Sequence, residues 1–183
     1  MNTYIALLRG INVSGQKMIK MVDLKTMFEN LGFVSVKTYI QSGNVVFKSE
    51  KEDVKQIGSL IKQGILEIFG YEVPVLVLTH EKLDSIYKEN PFLDRIANGE
   101  IEEKKMYFTL LSNSPDTTMK KELETTTYGK EEFIITEEVV YFFAAIGYGK
   151  TKLNNNFFEK KLKCSATTRN LKTVIKLLEL SNL

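Results

Sequence analysis

The chain is poor in the residues that usually announce a site. Its 183 residues include one Cys and one His. A single Cys excludes an internal disulfide framework, and a single His excludes most His-rich zinc centres. No apolar run approaches the roughly 18 residues of a membrane-spanning helix. The opening Met1-Asn2-Thr3-Tyr4-Ile5 has neither a basic n-region nor a small-residue cleavage site, so no signal peptide is expected. The lone Cys164 also suits a reducing compartment. A cytoplasmic protein with no membrane partner, no metal and no cofactor is the expectation.

Excess charge is lacking too. The net charge is +2, which does not indicate a strongly basic nucleic-acid binder. The distribution is less even than the total. Residues 1–40 carry +3, 41–79 carry −1, 80–145 carry −6 and 146–183 carry +6. Positive charge therefore sits at the two ends and negative charge in the middle.

What is present is the composition of a globular protein, 43% hydrophobic and 26% charged, long enough for one large domain or two small ones. Tyr4 to Leu8 is a short β-type run ending at Arg9-Gly10, and a polar loop follows to Lys17. Val22, Leu24, Met27, Phe28 and Leu31 have helical spacing. Val34–Ile40 and Val45–Phe47 are β-rich around a turn at Ser42-Gly43-Asn44. Val54 to Ile68 marks a second amphipathic helix, and Val73–Leu78 a fourth strand. The order β-α-β-β-α-β is that of a ferredoxin-like plait. After a helix ending at Asn90-Pro91 the order nearly recurs. A strand from Lys105 precedes a helix begun by Ser114-Pro115, then a hairpin around Glu137-Glu138. A helix from Lys152, a short strand at Cys164–Thr167 and a closing helix from Leu171 complete the chain. The expected fold is α+β: two tandem ferredoxin-like plaits, 1–79 and 80–183, with an extra C-terminal helix.

Two stretches resemble phosphate loops and neither fits. Gly10 to Lys17 has its Lys one residue late, and Gly149-Lys150-Thr151 lacks the earlier glycine. A weaker anion site remains if Thr151 caps a helix starting at Lys152, with Lys150 and Lys152 flanking its N-terminus. The alternative is a plain turn with solvated lysines. In Thr167-Thr168-Arg169-Asn170, a Thr could cap the last helix, putting a cation in its first turn against the dipole. Arg169 then either pairs with a carboxylate or offers its fork to an anionic ligand. His80 reads as a solvated helix-start residue and Cys164 as a buried small hydrophobe. Glu102-Glu103, Glu131-Glu132 and Glu137-Glu138 read as surface charges, because neighbours on a strand face opposite ways.

Tyr4-Ile-Ala-Leu-Leu-Arg-Gly-Ile-Asn-Val13, Tyr39-Ile-Gln-Ser-Gly-Asn-Val-Val-Phe47, Gly149-Lys150-Thr151-Lys152-Leu153 and Thr167-Thr-Arg-Asn170 with Thr173-Val174 resemble a bacterial domain-of-unknown-function family, numbered sixteen ninety-seven. The resemblance implies a pair of α/β plaits and no particular activity. Relatives often carry Trp where Leu171 stands here.

Three functions stay open. The first is binding of an anionic ligand (a nucleotide, a nucleic-acid segment or a phosphorylated metabolite) in a cleft between the plaits. Arg9 and Arg169 would grip it, Lys17, Lys150 and Lys152 would add positive field, and Asn12, Ser42, Asn44 and Asn170 would orient it. The second is a transferase or hydrolase in that cleft, for which no general base stands out. The third is a non-catalytic interaction module, with homodimerisation through edge strands.

Overall fold

Hydrophobic alternation sets the first sheet. In the computed structural model, which describes residues 1–182, Asn2–Leu8 forms β1. Its Tyr4, Ala6 and Leu8 point into one core with Val45 and Phe47, as the period of two requires. Met21–Asn30 is α1, burying Leu24, Met27 and Phe28 at helical spacing. Val34–Tyr39 and Asn44–Ser49 are β2 and β3. Val54–Phe69 is α2, which Asp53 begins by accepting the N–H groups of Lys55 and Gln56. Ile57, Ile61 and Ile65 of α2 are fully buried. Val75–Thr79 is β4, starting just after Pro74. The strands form an antiparallel sheet in the order β2-β3-β1-β4.

The later part of the chain builds a second sheet. His80–Lys88 is α3, Leu93–Ala97 is α4 and Met106–Leu111 is β5. Thr117–Thr125 is α5, and Glu132–Ile135 and Val139–Phe143 are β6 and β7. Asn155–Leu162 is α6, Ala166–Asn170 is β8 and Leu171–Ser181 is α7. This sheet is also antiparallel, in the order β6-β7-β5-β8. Renumbered from its own first strand, that order repeats the first sheet position for position. The fold is α+β with two four-stranded antiparallel sheets. The second sheet's core gathers Leu123, Ile135, Val140, Phe142, Phe158 and Leu162.

The chain divides into two units, one of residues 1–84 and 176–183 and the other of residues 85–175. The division expected at 79/80 falls five residues later, and the end of α7 goes with the first unit. Among the described residues no helix is long and apolar enough to cross a membrane.

Several local expectations need correcting. The helix expected from Ser114-Pro115 starts at Thr117, because Asp116 supplies the cap by accepting the Met119 N–H at 3.0 Å. The helix expected from Lys152 starts at Asn155, with Asn154 accepting from Phe157 at 3.1 Å. Thr151 therefore caps no helix there; its hydroxyl accepts the Leu153 N–H within a turn. Thr167 to Asn170 is strand rather than helix start, because Thr167, Thr168, Arg169 and Asn170 pair with Leu110, Thr109, Phe108 and Tyr107 of β5. The cap of α7 is Asn170, whose Oδ1 accepts the Thr173 N–H at 2.9 Å. The short helix α4 had no counterpart in the sequence reading.

Candidate functional site

In the first unit the loop leaving β1 folds back on itself. Gln16 N–H donates to the Val13 carbonyl at 2.9 Å, and Ser14 and Gly15 between them have φ of 50° and 72°. Left-handed backbone at both central positions is the type I′ pattern, in which glycine is favoured at the second. Asn12 and Lys17, one step out on each side, are left-handed as well, at 55° and 45°, and Asn12 N–H donates to the Lys17 carbonyl. Three non-glycine residues in this region each cost on the order of 1 kcal/mol. Something must hold them there.

The Asn12 side chain holds them. Its Nδ2 donates to the carbonyls of Ile19 and Gln41, both at 2.9 Å, and its Oδ1 accepts the Ile19 N–H at 2.8 Å. The same amide thus ties the loop to its own exit and to the β2–β3 turn. That turn approaches β1 closely, with Leu8 N–H donating to the Gly43 carbonyl at 2.8 Å. A Cβ on Gly43 would lie 2.6 Å from Leu8 Cβ. Asn44, fully buried, braces the turn by donating to the Tyr39 carbonyl and the Ser42 hydroxyl. Lys17 Nζ donates to the Glu72 carbonyl. Arg9, half-buried, follows β1 directly, and its own N–H donates to the Pro74 carbonyl. Arg9, Asn12, Lys17, Ser42 and Asn44 therefore gather at one end of the first sheet. The two asparagine amides serve as braces there.

The second unit gathers the other four residues around the end of β8. Arg169 is 9% exposed, and its guanidinium donates to the Thr167 hydroxyl and the Thr168 carbonyl, both at 2.9 Å. Burial pushes its pKa down to about 10, opposed by the nearby Tyr148. It stays charged at neutral pH. Tyr148 stacks on Tyr107, with ring centroids 4.3 Å apart, and its hydroxyl accepts the Asn155 N–H. Lys150 and Lys152 lie exposed in the loop after Tyr148. Behind them Thr109, Thr168 and Asn155 form a hydrogen-bonded chain at 2.8 and 2.9 Å, which sequence reading missed because the three come from separate elements.

His80, Cys164 and several of the paired acids are held by contacts within the fold. His80 is tied by Nδ1 to the Ser181 hydroxyl at 2.8 Å, where a solvated ring was expected. Cys164 is buried; burial first, and Glu159 second, raise its pKa, so the flanking lysines do not activate it. The paired acids meet cations: Glu102 meets Lys104 and Lys105, Glu132 meets Arg95 bidentately, and Glu137 lies 4.0 Å from Lys120. Lys104 and then Lys105 hold Glu102 down at about 2. Among the described residues no three His, Cys, Asp or Glu side chains converge as a metal cage would require.

Fold and site together define an α+β protein whose polar residues collect at the loop ends of its two sheets. The chain belongs to the family described as "Protein of unknown function (DUF1697)", whose model matches residues 1–141. The Arg9 loop and the Ser42 turn lie inside that span; Lys150, Lys152, Arg169 and Asn170 lie beyond it. Among solved structures, the chain is similar to conserved bacterial protein SP0830 from Streptococcus pneumoniae. The identity is 22% and the TM-score 0.76, over 100% of this chain and 99% of that one. No curated protein matches the chain significantly.

Proposed function

We propose that the chain binds an anionic ligand, of the class of a nucleotide, a nucleic-acid segment or a phosphorylated metabolite, at the loop end of the first sheet. Arg9 supplies the charged fork, Lys17 adds positive field, and Ser42 offers a hydroxyl. Asn12 and Asn44 act as positioning residues through the backbone they brace. One observation carries this reading. Asn12, Ser14 and Lys17 all have positive φ, in a loop that the Asn12 side chain ties down with three backbone hydrogen bonds. Strain kept by such over-determination is characteristic of ligand-binding segments. Lys150, Lys152, Arg169 and Asn170 form a separate group of the same charge in the second unit. The strand order of each sheet supports reading both units as ferredoxin-like plaits.

The test is a thermal-shift series with nucleotides, sugar phosphates and short oligonucleotides. A ligand at a hundred times its Kd adds about 2.7 kcal/mol, which raises Tm by roughly 5–10 °C at this chain length. The expected result is such a shift in the parent protein and its loss in Arg9→Ala. No shift with any anion, or an equal shift in Arg9→Ala, overturns the proposal.

A further inference from the structure

The face of the first sheet opposite the α1–α2 core carries a feature that the loop site does not use. The β2–β3 ladder slips between Val34, opposite Lys48, and Lys37, opposite Val46. Two residues of β2 lie inside that slip against one of β3, which makes it a bulge. The first of them, Ser35, has φ 54°, a conformation in which bulges usually carry glycine. The bulge leaves a cavity of about 130 Å³ lined by Thr3, Ser35, Lys37, Val46, Lys48 and Leu180, with the Phe47 backbone beneath. At about 30 Å³ per water, it has room for roughly four waters.

Its lining is one-sided in charge. Lys37 stands opposite Val46, and Lys48 lies two residues further along β3 on the same face. Such diagonal neighbours are roughly 7–8 Å apart, within the screening length of physiological salt. Both lysines are half-buried. Among the described residues neither lysine is in an ion pair, and no carboxylate lines the cavity. Thr3, directly opposite Lys48 on β1, and Ser35 add two hydroxyls. On α7, which supplies Leu180, Lys176 and Glu179 neutralise each other at 2.8 Å. The helix therefore brings no net countercharge.

We infer that this cavity is a second anion site, independent of the loop proposal, and that it takes a phosphate monoester dianion. Two lysines match the charge of about −1.5 to −2 that such a group carries at neutral pH. Two hydroxyls suit its several acceptor oxygens, and the apolar Val46 and Leu180 leave no polar group that would demand a larger ligand. Lysine recognises phosphate as a point charge and needs no planar fork.

The test is amide-resolved NMR of the whole chain at constant ionic strength, titrated separately with inorganic phosphate, glycerol phosphate and acetate. Saturable shifts centred on Ser35, Lys37 and Lys48 are expected with both phosphates, and none with acetate. Tighter saturation by glycerol phosphate than by inorganic phosphate is expected, and the reverse order overturns the assignment to an ester. Lys37→Gln combined with Lys48→Gln, two half-exposed positions that leave the core untouched, weakens the response at least tenfold. Arg9→Ala leaves it unchanged, so this site and the loop site fail separately. Absence of saturable shifts at these amides, equal shifts with acetate, or an undiminished response in the double variant overturns the inference.

Discussion

Tyr141 is 2% exposed, and its hydroxyl donates to the Ile86 carbonyl at 2.9 Å. Burial first, with Glu89 and Glu138 adding to it, pushes its pKa up to about 12. Below about pH 10 the phenol is protonated in both folded and unfolded chains, so the native hydrogen bond contributes in full. Between about 10 and 12 the unfolded chain loses the proton and the folded one keeps it, so stability falls as pH rises. The loss amounts to about 2.7 kcal/mol across that window. Tyr141→Phe is expected to cost about 1 kcal/mol at neutral pH. Urea unfolding of both proteins from pH 7 to about 11.5 should show this cost shrinking, then reversing, as the phenol's penalty appears in the parent alone. A constant difference over that range rules the account out. At this scale the sequence was legible for Cys164, read as a buried small hydrophobe despite Lys161 and Lys163 beside it, and buried in the structure. It was not legible for Asn12 and Asn44, because a polar side chain in a loop looks the same whether it meets a ligand or a carbonyl. His80 is similar: Ser181 lies a hundred residues further along the chain.

Elements were legible where periodicity spoke. Ile57, Ile61 and Ile65 with Gly70 after them announce α2, and the structure builds it so, with Asp53 as its cap. Periodicity failed at caps and edges. Thr151 was the expected cap of α6, and Asn154, which follows the buried Leu153, caps it instead. Thr167 to Asn170 joins the sheet because β5 offers a free edge, a partner that lies over fifty residues away. Two glycines separate local propensity from tertiary fit. Gly58 lies within α2, where an added Cβ would meet Val77 Cγ2 at 3.6 Å and the Val75 carbonyl at 3.8 Å, ordinary contacts. Gly58→Ala is therefore expected to stabilise by about 0.5–1 kcal/mol. Gly43, at φ 73° and 2.6 Å from Leu8 Cβ, must shift the turn to accept the same methyl. Gly43→Ala is expected to cost about 2 kcal/mol or more. Calorimetry should find Tm raised by about 2 °C in the first variant and lowered by at least about 4 °C in the second; equal signs would contradict this reading of the turn.

Across the whole molecule the charge profile and the recurring strand order could be read from sequence, whereas the ownership of the last helix could not. α7 runs without a break from Leu171 to Ser181, yet the boundary between the units falls at 175/176. Val174 and Leu177, on either side of that boundary, are both fully buried. Helix formation is cooperative, because each turn relies on the hydrogen bonds of its neighbours. Unfolding one unit therefore frays the half of α7 that belongs to the other. Independent melting would require the helix to stop where nothing in its sequence stops it. Phe28 packs edge-on to Phe47 in the first core at 5.3 Å, and Phe158 does the same with Phe142 in the second at 5.7 Å. Phe28→Ala and Phe158→Ala are each expected to cost about 3–5 kcal/mol. Scanning calorimetry should show one transition in the parent protein and one, moved down, in each variant. If Phe28→Ala instead splits the trace, leaving a second peak at the parent's temperature, the units melt separately. α7 would then be a covalent tether and not the element that makes the chain fold as one.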